Sequence, residues 1–277
     1  MGPDTAITTL GGLLARWELL SVTPFLIGIL ALIFAVGATR LRRRGGPPAF
    51  AGRRIAAGLI GFLLLFVASV GPPEALADEL FAAHMVQHVL YIIAAPALLL
   101  ANPMPAYLWG LPRRARDALT ATILPGSPLR LVLGVLTHPR VAFALFAGNL
   151  WLWHFPPAYN LALEVGVVHL AEHTLMFTTA MLFWWPIIGP APLRSPLSYP
   201  SRLVYLLLVV TPTAALGALI TLSPDTLYTF YEPGVGHFGF SVQDDQRLAG
   251  ILLWVPGNFI YLAALVATFF RWADQEA

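Results

Sequence analysis

The chain has 277 residues, of which 58% are hydrophobic and 11% charged, with a formal net charge of +2. That is too apolar for an ordinary soluble domain and fits a polytopic membrane protein. All 16 basic residues are arginines scattered among loops, which excludes a nucleic-acid surface, and the lack of cysteine excludes disulfides, thiolate metal sites and a cysteine nucleophile.

In chain order, the first twenty residues carry Asp4 and Glu18 and no basic n-region. The apolar run Leu26 to Gly37 is followed by Arg40 to Arg44 with no small-residue cleavage site, so it reads as a first membrane helix and not a cleaved signal. A span needs about 20 mostly apolar residues. Seven segments qualify, at about 22–40, 54–71, 80–101, 138–155, 166–188, 203–222 and 248–270. They predict an all-α, polytopic, single integral-membrane domain over 1–277. Pro24, Pro96 and Pro212 fall in or near spans, where neighbouring helices satisfy the freed carbonyls. Between Pro112 and Thr137, "RRARDALTATIL" reads as an amphipathic helix on the inner surface. "PLRLVLGVLT" is too short to span; it reads as interfacial or as an extension of the fourth helix.

Charge alternates along the loops. Fourteen of the 16 arginines lie on one side of the expected bundle, and Arg16 and Arg247 on the other. By the positive-inside rule the N-terminus is outside and the C-terminus cytoplasmic. Trp109, Trp151, Trp153, Trp184, Trp185 and Trp272 sit near expected helix ends, as interfacial anchors do.

Placed by depth, six of the seven histidines gather at the outer face. "HMVQH" puts His84 and His88 in the first turns of the third helix. "HLAEH" puts His169 and His173 in the first turns of the fifth. His154 ends the fourth helix, His237 lies in the loop after the sixth, and only His138 is cytoplasmic. Residues at i and i+4 share a helix face, about 5–6 Å apart. Two such pairs facing each other supply up to four nitrogens to one metal ion. Glu172 is placed to be a ligand, an acceptor for an imidazole N–H, or a proton acceptor. Met85 and Met176 ordinarily pack, but as ligands they would favour Cu(I). His237, among Tyr228, Phe230, Tyr231, Phe238 and Phe240, is a lid residue or a plain loop histidine. HLAEH also matches the H-x-x-E-H of inverted zinc peptidases. Those need a soluble cleft and a further carboxylate ligand, so the chain is not read as an enzyme.

The stretches "HMVQHVLYIIAAPALLLANP", "LWLWHFPPAYNLAL", "VVHLAEHTLMFTTAMLFWWPIIGP" and "DDQRLAGILLWVPG" resemble the CtaG-type cytochrome c oxidase assembly factors, a seven-helix bacterial membrane family. The resemblance runs from about Phe81 to Trp272, while the first two spans match in hydropathy alone. It implies a multi-pass protein of the bacterial inner (plasma) membrane, surrounded by the lipid bilayer, with cytochrome c oxidase subunits as partners. It also implies copper handling at the outer face. Carried over, His84, His88, His154, His169, Glu172, His173 and Asp245 occupy the family's polar motif positions, with Gln246 completing the "DQ" pair and Gly250 the "AG". Copper as Cu(I) is the expected metal, although imidazole does not select against zinc or iron. Haem between membrane helices needs one histidine per helix, not paired ones. Two other functions stay open: a metal or solute transporter or permease, for which no paired broken helices are evident, and a metal-free assembly scaffold. Asp245 is expected to face inward, since Leu248 and Leu252 continue its face and Asp244 is turned about 100° away.

Reporter fusions after Arg44, Arg116 and Arg202 are expected to read as cytoplasmic, and fusions near Glu74 or His237 as external. Reversal at two or more of these sites would overturn the placement of the histidines.

Overall fold

The structure, a computed structural model, describes residues 22–44, 52–101, 103–190, 193–239 and 241–276, together with Gly12 and Trp17. Asp4, Arg16, Glu18 and Phe240 lie outside the described residues. Among the described residues all regular structure is helical.

Proline, glycine and arginine divide the apolar sequence into helices. Helix α1 (Val22–Arg43) ends in Arg40, Arg42 and Arg43, cations at the negative end of its dipole. Helix α2 (Gly52–Val70) stops at Gly71, where Pro72 and Pro73 open the one-turn α3 (Pro72–Leu76). Helix α4 (Phe81–Leu100) is the central one: 67% of its most apolar stretch is buried, against 22% to 39% in the four other helices apolar and long enough to span. Helix α5 (Pro103–Gly110) folds back onto α1. The two backbones meet so closely that a Cβ at Gly37 would run into the Ala106 carbonyl, and one at Gly110 into that of Ile33. Helix α6 (Arg113–Thr122) buries no residue, as befits a surface amphipathic helix.

Helix α7 (Pro128–Leu136) starts at Ser127, whose Oγ accepts from the Arg130 N–H at 3.3 Å. It meets α8 (Pro139–Trp153) at a 67° elbow, because Pro139 excludes a continuous helix there. The segment is therefore a helix of its own, bent away from the fourth rather than continuous with it. Helix α9 (Pro156–Glu164) leads into α10 (Gly166–Ile188), which closes on Gly189 in the left-handed region at φ 62°. Helix α11 (Tyr199–Leu222) is followed by short turns, including α12 (Glu232–Val235), and by the long α13 (Val242–Glu276).

Each of the seven expected segments is thus a helix. Five helices are long and apolar enough to cross a membrane, six if the bent α7–α8 pair forms one span. Helix α10 is long enough but less apolar, because His169, Glu172 and His173 stand in its first turns. The tryptophans divide. Trp109 receives the guanidinium groups of Arg44 and Arg116 on its ring, at 4.5 and 5.2 Å. Trp153 and Trp184 are not surface anchors, however: both are buried between helices, and Trp184 stacks on Tyr261 at 5.8 Å. Phe146, Phe183, Trp184, Tyr205 and Tyr261 build a core toward the arginine-bearing end.

Helices α11 and α13 pack through small residues. A Cβ on Gly250 would lie 2.8 Å from the Gly217 carbonyl oxygen and 2.7 Å from the Thr221 nitrogen. Gly250→Val is therefore expected to destabilise by about 3 kcal/mol or more. Gly134→Ala, with open space around it, should change stability by at most about 1 kcal/mol, in the stabilising direction. Thermal unfolding of detergent-purified variants checks both; equal melting points would refute the close crossing.

Candidate metal centre

Helical spacing alone turns His84 and His88 to one side of α4, and His169 and His173 to one side of α10. The two helices pack with those sides facing. His84 Nε2 lies 3.0 Å from His88 Nε2 and 3.4 Å from His173 Nε2. Glu172 closes the group, with Oε2 3.7 Å from His84 Nε2 and Oε1 3.4 Å from His88 Nε2. His84, His88 and Glu172 are fully buried and His173 nearly so, while His169 is half-buried, its ring 4.2 Å from that of His173. One atom each from His84, His169, Glu172 and His173 fit within 4.8 Å of one another.

This convergence is chemically unbalanced as it stands. A neutral imidazole carries one N–H and one lone pair, and an ionised carboxylate only accepts. Three Nε2 atoms therefore bring too few protons for all of their contacts with one another and with the carboxylate. Neither oxygen of Glu172 accepts a hydrogen bond, although both are buried. A cation at the common point would resolve the conflict. Tetrahedral ligands at about 2.0–2.1 Å from a metal stand about 3.3 Å apart, and the four separations above fall on either side of that value.

His154, which follows α8, flanks the group with its ring 5.4 Å from that of His88. Its Nδ1 donates to the Leu150 carbonyl at 2.7 Å. In the neutral ring Nε2 then carries the lone pair, and it faces Met85 Sδ at 3.2 Å. Two lone pairs set against each other again suit a soft cation. Met176 does other work: its sulfur accepts from Asn149 Nδ2 at 3.6 Å.

Asp245 stands apart from the imidazoles in its contacts. It points inward and is 2% exposed. Its carboxylate accepts from the N–H groups of Phe81 (2.7 Å) and Ala82 (3.1 Å). These are orphan donors at the start of α4, whose own N-cap residue, Leu80, has no side chain able to accept. Asp245 is thus a cap supplied by a different helix, and it is the residue that fixes the height of His84 and His88. Its neighbours divide the remaining labour. Asp244 pairs with Ser241 at the start of α13, the Ser241 hydroxyl donating at 2.6 Å and Ser241 Oγ accepting from the Asp244 N–H at 3.1 Å. Gln246 accepts from the Leu227 N–H at 2.6 Å and donates to the Asp225 carbonyl at 3.1 Å, pinning the loop after α11.

That loop covers the centre. Tyr228 donates to the His154 carbonyl at 2.7 Å, and the hydroxyls of Tyr159 and Tyr231 meet at 2.5 Å. Phe81 packs against all three tyrosines, and Tyr159 lies 5.2 Å from the His84 ring.

Residues 32–275 match the cytochrome c oxidase caa3 assembly factors (Caa3_CtaG). The chain belongs to that family. It is also 30% identical over 281 residues to an uncharacterized protein of Mycobacterium bovis, covering 97% of this chain and 41% of that protein, and equally to one of Mycobacterium tuberculosis. An uncharacterized Mycobacterium leprae protein is 28% identical over 268 residues, or 91% of this chain and 39% of that protein. The chain spans about two fifths of the length of these relatives. No solved structure matches it.

In this Caa3_CtaG chain, five of the seven residues expected from sequence (His84, His88, His169, Glu172 and His173) come together, His154 flanks them, and Asp245 caps. His237 lies outside the group, 66% exposed and 3.7 Å from Glu79. Sequence reasoning passed over Gln87, which sits between the two histidines of HMVQH and donates to the Ala68 carbonyl at 2.8 Å and to Glu74. It also passed over Tyr159, and it read Tyr228 and Tyr231 as company for His237, whereas they cover the centre. The short spacings around Gln87 and Tyr159 in the quoted motifs are the signal that was available.

Asp245→Ala strands two buried N–H groups at about 1–3 kcal/mol each, so a loss of about 2–6 kcal/mol is expected. Asp244→Ala should cost about 1 kcal/mol, and Asp245→Asn, which keeps one acceptor oxygen, an intermediate amount. Thermal unfolding in detergent ranks the three, and an equal effect at 244 and 245 would refute the interhelical cap.

Proposed function

We propose that the chain binds copper as Cu(I) at the centre formed by His84, His88, His169, Glu172 and His173 and holds it, or passes it on, during assembly of cytochrome c oxidase. Copper here is cargo and not a catalytic cofactor. The observation that carries the reading is the convergence of three Nε2 atoms and an otherwise unsatisfied carboxylate in a buried space. Family membership supplies the oxidase-assembly context. The Met85 thioether, set against His154 Nε2 beside the centre, offers a soft donor next to the ion and favours Cu(I) over zinc. In this reading the chain crosses the bacterial inner membrane seven times with its N-terminus outside. The less apolar α10 is then a span whose polar face is turned inward, and the histidine end faces the compartment from which copper arrives. The arginine distribution supports that orientation.

Metal analysis of the purified protein after loading with Cu(I) under reducing conditions, against a competing chelator, tests the proposal. His88→Ala and His173→Ala are each expected to weaken binding at least about tenfold while the protein stays folded and membrane-inserted. The double variant should lose little more than either single one, since the ligands act as a unit. Absence of binding at micromolar free Cu(I), binding of zinc in its place, or parental binding by His173→Ala would each overturn the copper reading. Intact folding with no metal at all would identify the histidine cluster as a packing device in a scaffold.

A further inference from the structure

At the other end of α4 and α10 the chemistry is reversed. Arg53 and Arg54 stand in the first turn of α2, and Arg271 lies six residues before the end of the chain in α13. Between them is a cavity of about 630 Å³, walled on its apolar side by Leu99, Leu100 and Ile188. It is separated from the histidines by the length of α4: from His88 to Leu99 is about 16 Å along the axis. Arg54 is half-buried, and Arg53 and Arg271 are exposed.

Among the described residues, none of the three arginines has an ion pair or hydrogen bond. Asp274, one turn beyond Arg271, makes no ion pair with it, and Glu276 accepts instead from Trp272 at 3.3 Å. Arg202 adds a further positive charge close to Arg271. The carbonyl ends of α4 and α10 oppose this with about half a negative charge each, and the amide end of α2 returns about half a positive one. Three guanidinium charges therefore leave a clear positive excess in a cleft with one greasy wall. Guanidinium groups bind phosphate oxygens in paired hydrogen bonds, and basic pockets between membrane helices suit lipid head groups.

We propose that this cavity binds the phosphate of an anionic phospholipid, held by Arg53, Arg54 and Arg271, with an acyl chain laid along Leu99, Leu100 and Ile188. The volume fits a head group and the first part of its chains, being within the roughly 300–1,000 Å³ of small-molecule sites. The proposal is independent of the metal at the opposite end.

The test is lipid titration of the detergent-purified full chain, read by native mass spectrometry, with phosphatidylglycerol, phosphatidylcholine and inorganic phosphate as separate probes. Phosphatidylglycerol should bind the parent, with phosphatidylcholine markedly weaker. The R54Q/R271Q variant should lose at least about tenfold in affinity, at about fivefold per arginine. R54K/R271K keeps the charge and should retain most of the binding. R114Q, which removes the same charge from α6 outside the cavity, should bind as the parent does. Competition by millimolar inorganic phosphate would keep the phosphate site and assign it to a free anion, whereas no competition assigns it to lipid. If R54Q/R271Q does not fold, R53Q at its exposed position carries the test, with about a fivefold loss expected. Equal affinity for both lipids, parental binding by the folded glutamine variants, or an equal loss in R114Q would overturn the proposal.

Discussion

Four buried imidazoles and one buried carboxylate share a space with little access to water, and the need to place these polar groups together constrains the bundle. A polar group left without a partner in such a place costs about 1–3 kcal/mol, and a charge more. Their nearest polar neighbours among the described residues are mostly one another, so α4, α8 and α10 meet at the depth where their polar residues fall. That requirement makes α4 central. It also accounts for α10, whose composition would be unfavourable against lipid but is acceptable when its polar side packs on His84 and His88.

Holding this arrangement needs support from the end of the bundle. The start of α4 is fixed by a carboxylate from α13, the covering loop by Gln246 next to it, and the start of α13 by Asp244 on the other side. Three consecutive side chains thus fasten three different backbones. The histidines occupy a defined height only because the chain returns, more than 160 residues after Phe81, to complete the helix that carries them.

Much of this was legible in the sequence. Every expected span is a helix, the two i,i+4 histidine pairs do face each other, and Asp245 rather than Asp244 is turned inward. These features follow from helical period and hydropathy, which are local. What was not legible depends on contacts distant in sequence. A cap supplied by another helix leaves no local trace, so the contact of Asp245 with the start of α4 could not be read. Trp184 sits near a helix end in sequence, and only packing shows that it lies against Tyr261 and not at a lipid interface. The elbow at Pro139 was written in the proline, but the direction in which α7 departs was not.

The side of the imidazole rings away from the convergence point has a kinetic meaning. In long-lived metal sites the second ring nitrogen is usually tied to a carbonyl or carboxylate, which locks the ring toward the ion. His154 is tied in that way, through Leu150, whereas among the described residues the Nδ1 atoms of His84 and His88 are buried without a partner. Rings anchored on one side only can swing away from an ion at little enthalpic cost. For a cation bound as proposed, imidazoles left unanchored at Nδ1 favour release over long retention.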